Sequence, residues 1–426
     1  MIKKLKLILV LCCVGFVHAS MATEEKSLRL FEDAMCLQVK FAQGQPLHDL
    51  EMVRELGVKW VREEIPWSSI EPRRGAYQPL PDALKTRLNF YKANDIGVIF
   101  IMAYENPVAY PNTPQAPHDF VSPLAFGRYT AYMARQLKES GVKFVVELWN
   151  EPHNSAFARK EHLGGNWQGA PPSPWVDHYV KMVDEAVKRI KAVDSTIPVI
   201  TDDDMWVVHY HFLEKGLPKA LDGFAVHPYV QGPPEIAAVA HDTDWTRPYQ
   251  VVDQDRSFES AVRRLKEQGF KKMGKIPNVL ITEWGWPVGG NSPTGPLSES
   301  KVAIYLPRAF ILAANAGVQN TCWFSAMDGP DGPMGLKTND GRKRPAYTAF
   351  LTMSQTLAKT KFECELKQNE PNSTKRTFAF KRSASDGWVI ASWDTKGKSF
   401  YDEAVEYTQK NGVEFAPICK SKPNLN

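Results

Sequence analysis

Lys143-Phe-Val-Val-Glu-Leu-Trp-Asn-Glu-Pro152 decides how this chain is read. A short apolar run leads into a polar tail that ends at a proline. Residues 123–139 before it carry a helical pattern that stops short of Gly141, and 174–193 after it carry another. An apolar strand set between two helices fits a sheet that is parallel and covered on both faces.

The same unit recurs outward in both directions. Further strands are expected at 34–41, 59–64, 97–102, 197–201, 222–226, 278–282 and 320–324. Helical patterns at 47–56, 81–94, 206–215, 256–269, 298–316 and 345–357 separate or close them. Eight strand–helix units between residues 34 and 357 fit an α/β fold of the (β/α)8 TIM-barrel type better than an open doubly wound sheet. No glycine-rich phosphate loop follows the first strand, which weakens a dinucleotide-binding alternative. Past Thr360 the texture changes. Phe378-Ala-Phe380 and Trp388-Val-Ile-Ala-Ser-Trp393 alternate as short strands, so a small β-rich C-terminal segment over 360–420 is expected to pack on the barrel.

The chain has 426 residues, 43% hydrophobic and 23% charged, ordinary values that argue against disorder. A net charge of +4 permits an anionic polymer but is too diffuse for nucleic acid. At the N-terminus Lys3, Lys4 and Lys6 precede an apolar run from Leu7 to Val17, then Val17-His18-Ala19. That is the layout of a signal peptide over 1–19, with Ala22 as a competing cleavage site and an uncleaved anchor as the alternative. An exported protein, periplasmic or secreted, is the expectation. Cleavage leaves Cys36, Cys322, Cys364 and Cys419. Cys364 and Cys419 could pair; Cys36 and Cys322 fall on the first and last strands and are either a disulfide or two buried thiols.

Two glutamates end strands. Glu151 follows Val145-Val-Glu-Leu-Trp-Asn150 and Glu283 follows Val279-Leu-Ile-Thr282. Strand ends line the active face of such a barrel. Two carboxylates there can serve opposite sides of one glycosidic bond, one protonating the leaving oxygen and one attacking the anomeric carbon.

Trp149-Asn150-Glu151-Pro152 and Thr282-Glu283-Trp284-Gly285 resemble the signature of clan A glycoside hydrolases. The interval of 132 residues (283 minus 151) fits strands four and seven. Arg62, Trp67-Ser-Ser-Ile-Glu71-Pro72, His227-Pro228-Tyr229 and Trp323 resemble further clan positions. The resemblance spans about residues 34 to 357 and is nearest to family 39 and its relatives, among them β-xylosidases and bacterial exopolysaccharide hydrolases, with family 5 as the competitor. It implies Glu151 as general acid/base and Glu283 as nucleophile of a retaining reaction that needs no cofactor and no metal. Arg62 and Tyr229 would support Glu283, with His227 beside them. Asn150 would bind a sugar hydroxyl, and Tyr104, Trp149 and Trp323 would wall the sugar, Trp323 as floor, although a core position is the alternative for Trp149. Burial and the nearby nucleophile should raise the pKa of Glu151. The expected partner is a poly- or oligosaccharide, with no nucleic acid and a monomeric enzyme.

Competing readings are a sugar-binding barrel that lost turnover and a metal-dependent barrel hydrolase. For a metal, His227, Asp202 and Glu283 can be drafted, or Asp202, Asp203 and Asp204 with His209 and His211. A loop with helix-capping aspartates explains the second group.

Overall fold

A computed structural model describes residues 29–154, 163, 173–203, 206–239, 243–292, 295–368, 373–395, 402–411 and 417–421. The expected leader at 1–19 and Asp204 lie outside the described residues. Eight parallel strands close a barrel in chain order: β1 (Met35–Gln38), β2 (Trp60–Pro66), β3 (Gly97–Ala103), β4 (Phe144–Leu148), β5 (Val199–Asp203), β6 (Gly223–Val226), β7 (Asn278–Trp284) and β8 (Thr321–Trp323). Around them run α1 (Leu50–Glu55), α2 (Trp67–Ile70), α3 (Asp82–Ala93), α4 (Pro123–Ser140), α5 (Pro174–Val193), α6 (Trp206–Lys215), α7 (Phe258–Met273), α8 (Glu299–Asn315) and α9 (Pro345–Leu357). The first strand is shorter than the expected 34–41, because the chain turns into a 3-10 segment at Phe41–Gln43.

Local chemistry sets the helix ends. The Ser122 hydroxyl accepts from the Ala125 N–H, Pro123 opens α4, and Gly141 closes it at φ +72°. Ser257 and Ser298 cap α7 and α8 in the same way. Among the described residues no helix is long and apolar enough to cross a membrane.

The barrel interior is stacked by the two-residue pleat of its strands. Cys36, Ile99, Val145, Ile200, Ala225, Leu280 and Cys322 form one buried apolar layer, with Trp60 against it. Two residues further along each strand come Gln38, Arg62, Ile101, Glu147, Asp202, His227, Thr282 and Phe324. The apolar layer floors the barrel, and this largely polar layer faces the C-terminal ends of the strands.

The seam between first and last strands is paired Cys36↔Cys322, and the two cysteines form a disulfide. Cys364 and Cys419 form a second. The barrel pair is therefore a bond and not two free thiols.

Four antiparallel strands follow: β9 (Thr360–Glu365), β10 (Lys375–Arg382), β11 (Trp388–Asp394) and β12 (Glu406–Lys410), in the order β12-β11-β10-β9. This sheet is fixed to the barrel by buried polar anchors. Arg308 of α8 donates to both oxygens of Glu235, and the Trp393 indole N–H donates to Glu235 at 2.7 Å. Arg376 bridges Glu259 of α7 and Glu365 of β9.

Candidate active site

A cavity of about 390 Å³ opens at the C-terminal ends of the strands. Arg62, Tyr104, Asn150, Glu151, Tyr229 and Glu283 all line it, as do Lys40, Glu64, Phe324 and Asp331. The volume is within the range of small-molecule sites.

Glu283 reaches the cavity because β7 is irregular. The pairing of β7 with β8 shifts between Ile281 and Trp284, so three steps on β7 match two on β8. A bulge of this kind re-aims a side chain. Thr282 keeps its place in the interior layer, and Glu283, one residue on, still points into the cavity.

Arg62 organises the centre. Its Nε and Nη2 donate to Glu147 at 2.8 and 2.9 Å, and its Nη1 donates to Glu283 at 2.5 Å. The remaining bonds go to Gln38 at 3.0 Å and to the Asn150 side-chain oxygen at 2.7 Å. Asn150 thus spends its oxygen on Arg62 and keeps its amide N–H groups for a ligand. The Tyr229 hydroxyl donates to the other Glu283 oxygen at 2.8 Å.

Glu151 is placed by its backbone. It has φ +44°, and Trp149 two residues earlier has φ +74°, a left-handed region that costs a non-glycine residue about 1–3 kcal/mol. The buried Asp202 carboxylate at the end of β5 accepts the Glu151 N–H at 2.7 Å and secures this turn. The Glu151 side chain meets His227 Nδ1 at 2.8 Å and Asn154 at 3.2 Å. One oxygen of Glu151, one of Glu283 and a nitrogen of His227 all lie within 4.8 Å of one another.

The proton distribution corrects the sequence expectation for Glu151. Burial alone would raise its pKa, but the hydrogen bond and charge of His227 outweigh burial and hold it at about 2. Burial likewise works against the charged imidazole, yet Asp202, Glu283 and Glu151 together raise His227 to about 10. Between the two groups, the proton rests on the His227 imidazole. Burial drives Asp202 well above the usual carboxylate range. Burial and then Glu283 push Tyr229 upward, which keeps its hydroxyl a donor.

Trp323 differs from expectation, and Trp149 takes the core position given as its alternative. Trp323 is fully buried and packs on Trp286 with ring centroids 5.9 Å apart. Phe324 lines the cavity in its place. The reason is strand parity: Cys322 points into the barrel, so Trp323 points out and Phe324 points in again. Gly285 permits this, because a Cβ there would lie 2.2 Å from the Phe324 carbonyl oxygen. Trp149 is also fully buried, against Phe126 and Tyr104, which leaves Tyr104 as the aromatic wall on that side. His227 stands closer to Glu151 than to Glu283, whose nearest approach is 3.8 Å.

Residues that sequence reasoning passed over include Glu147, Thr282, Lys40 and Asp331. The Lys40 ammonium bonds Asp331 at 2.7 Å and sits 4.5 Å over the Phe324 ring. Of the histidines drafted for a metal, His209 and His211 do not gather with acidic groups. His211 bonds the Trp245 carbonyl, and His209 meets the Asp203 carbonyl, while the Asp203 side chain pairs with His153. Glu147, Asp202 and His227 do cluster at ligand spacing, but both His227 nitrogens are engaged, and Arg62 supplies the local positive charge. The donor set is that of a proton network.

Barrel, paired strand-end carboxylates and supporting arginine define a clan A glycoside hydrolase. The model of the family described as Cellulase (glycosyl hydrolase family 5) matches residues 46–326, and the chain belongs to that family. Solved structures agree on the fold. A family 39 glycoside hydrolase from Bacteroides cellulosilyticus WH2 is 20% identical, with a TM-score of 0.66 over 87% of this chain and 72% of that one. A GH30 endoxylanase from Clostridium papyrosolvens C71 is 9% identical, with a TM-score of 0.53 over 85% of this chain and 81% of that one. No curated protein matches the sequence.

Proposed function

We propose that this glycoside hydrolase is a retaining enzyme that cleaves β-linked polysaccharide by double displacement, with Glu283 as nucleophile and Glu151 as acid/base. The observation that carries this is the approach of the two carboxylates to within 4.8 Å. Retaining pairs stand about 5–5.5 Å apart, whereas inverting pairs need about 6.5–9.5 Å to admit a water.

Glu283, aligned by Arg62 and Tyr229, attacks the anomeric carbon while Glu151 gives a proton to the leaving oxygen. Glu151 then takes a proton from the water that cleaves the glycosyl-enzyme ester. Asn150 donates to the sugar hydroxyl next to the anomeric centre, and Phe324 and Tyr104 form apolar walls. The basic and apolar leader sequence, together with two disulfides, supports an exported enzyme. A bacterial exopolysaccharide is the substrate class that fits an exported polysaccharide hydrolase of this clan.

The test digests β-linked polysaccharides and aryl glycosides with wild type beside Glu283→Ala, following product anomers by NMR. Wild type should release sugar with retained configuration, and Glu283→Ala should be rescued by azide to give the inverted glycosyl azide. An inverted first product from wild type would overturn the retaining mechanism.

A further inference from the structure

We propose that Thr282, oriented by the buried Glu147, fixes the tautomer of His227 and thereby delivers the catalytic proton to the one nitrogen that faces Glu151. The proposal rests on Glu151 being the acid. Thr282 and Glu147 are positioning residues; neither lines the cavity.

Donor and acceptor counting leads to this assignment. Both Glu147 oxygens are held by the Arg62 fork at 2.8 and 2.9 Å. The Thr282 hydroxyl lies 2.9 Å from Glu147 Oε1, an atom that only accepts in this pairing, so Thr282 must donate its single proton there. Its oxygen is then available only as an acceptor. His227 Nε2 is 2.9 Å from that oxygen, so Nε2 must carry a hydrogen. Asp202 Oδ1 lies 3.2 Å from the same nitrogen but makes no hydrogen bond with it, so the Thr282 oxygen is the acceptor of that hydrogen.

Nδ1 is left as the variable position. It lies 2.8 Å from Glu151 Oε1, and one proton is shared between them. With the proton on Nδ1 the pair is imidazolium and carboxylate; with it on Oε1 the pair is imidazole and carboxylic acid. The second form can protonate a leaving group. Passage between them moves one proton along one hydrogen bond and leaves Nε2 unchanged. A histidine free to place its single proton on Nδ1 would instead donate permanently to Glu151 and leave it no acid proton.

The charged groups around the pair come from every neighbouring element. Asp202 approaches from β5, Glu283 from β7, and Arg62 with Glu147 from β2 and β4. Tyr229 stands after β6, and His153, paired with Asp203, stands after β4. Glu147 has a double part in this set, since it holds both the arginine that aligns the nucleophile and the threonine that orients the acid's histidine.

Thr282→Val removes the hydroxyl at nearly constant shape, and Thr282→Ser restores it. The valine variant should lose about tenfold or more in kcat/KM on substrates with poor leaving groups and little on activated aryl glycosides. Its basic limb should move to lower pH by about one unit, since the deprotonated pair can then place the remaining ring proton on Nδ1. The serine variant should restore the wild-type profile. Nitrogen-15 NMR of wild type above pH 10, where the His227 ring is neutral, with His227 assigned by comparison with His227→Gln, should show a protonated Nε2 and a bare Nδ1. An unprotonated Nε2, or a valine variant that loses equally on all leaving groups with an unmoved pH profile, would overturn the proposal. Failure of the acid assignment itself would show separately, as equal loss on all leaving groups in Glu151→Gln.

Discussion

Arg62→Lys keeps the charge at the centre of the site and changes its geometry. Arg62 donates five hydrogen bonds to Glu147, Glu283, Gln38 and Asn150. Lysine has three N–H donors on one atom, so at least two of these bonds must go unmade. The side chain is 1% exposed, and water does not replace them. Hydrogen bonds to charged groups contribute about 1.5–3 kcal/mol each, so the loss should be about 3–6 kcal/mol of folding stability. Urea unfolding followed by tryptophan fluorescence measures it, provided the slope is unchanged. Glu283 also loses its alignment, and misplacement of a reacting group by about 1 Å costs on the order of a hundredfold. kcat/KM on an aryl glycoside should fall by about that factor. A variant within about 1 kcal/mol of wild type that keeps more than a tenth of its activity would refute the view that the fork, and not the charge, organises this site.

Trp323→Ala should destabilise the fold by about 3–5 kcal/mol, as expected for a fully buried indole, whereas Phe324→Ala should chiefly raise KM. Urea midpoints and steady-state kinetics on both variants separate the two roles, and the reverse pattern would return Trp323 to the cavity floor. Stability should also depend on pH through the His227–Glu151 pair. His227 is raised to about 10, so its contribution is complete below about 6.5 and is lost as pH climbs through 10. Glu151 is lowered to about 2, so its contribution is complete above about 4.5 and is lost as pH falls toward 2. The stability gap between wild type and His227→Gln should therefore narrow from pH 6.5 to 10; a constant gap would contradict the charged pairing.

Strand order and the two cavity-lining carboxylates were legible because a parallel barrel writes itself as apolar runs between amphipathic helices, with polar residues where each run stops. Glu151, Glu283 and Tyr229 stand at or just past such stops, whereas Arg62 lies inside β2. The floor residue was misread because a run such as Asn320-Thr-Cys-Trp-Phe does not declare which parity faces inward. Cys322 opposite Cys36 resolves the parity, but only once those two side chains are known to meet. Asp202, Glu147 and Thr282 could not be separated by sequence from ordinary buried polar residues, since their roles depend on partners 50 or more positions away. Glu151's low pKa was missed for the same reason: its controlling neighbour is 76 residues distant.

The two disulfides join the four cysteines of the described chain in simple succession, first to second and third to fourth. Four cysteines allow three connectivities, and succession is the one produced by a chain that enters an oxidising space amino end first. In the exported, leader-cleaved chain proposed above, Cys36 would wait alone while the barrel passes, and the first thiol to join it would be Cys322, 286 positions on. Cys364 and Cys419 follow as a separate pair only 55 residues apart. Ordered delivery alone can thus set the native pairing, with no shuffling step, and the ring is locked only when its last strand has arrived.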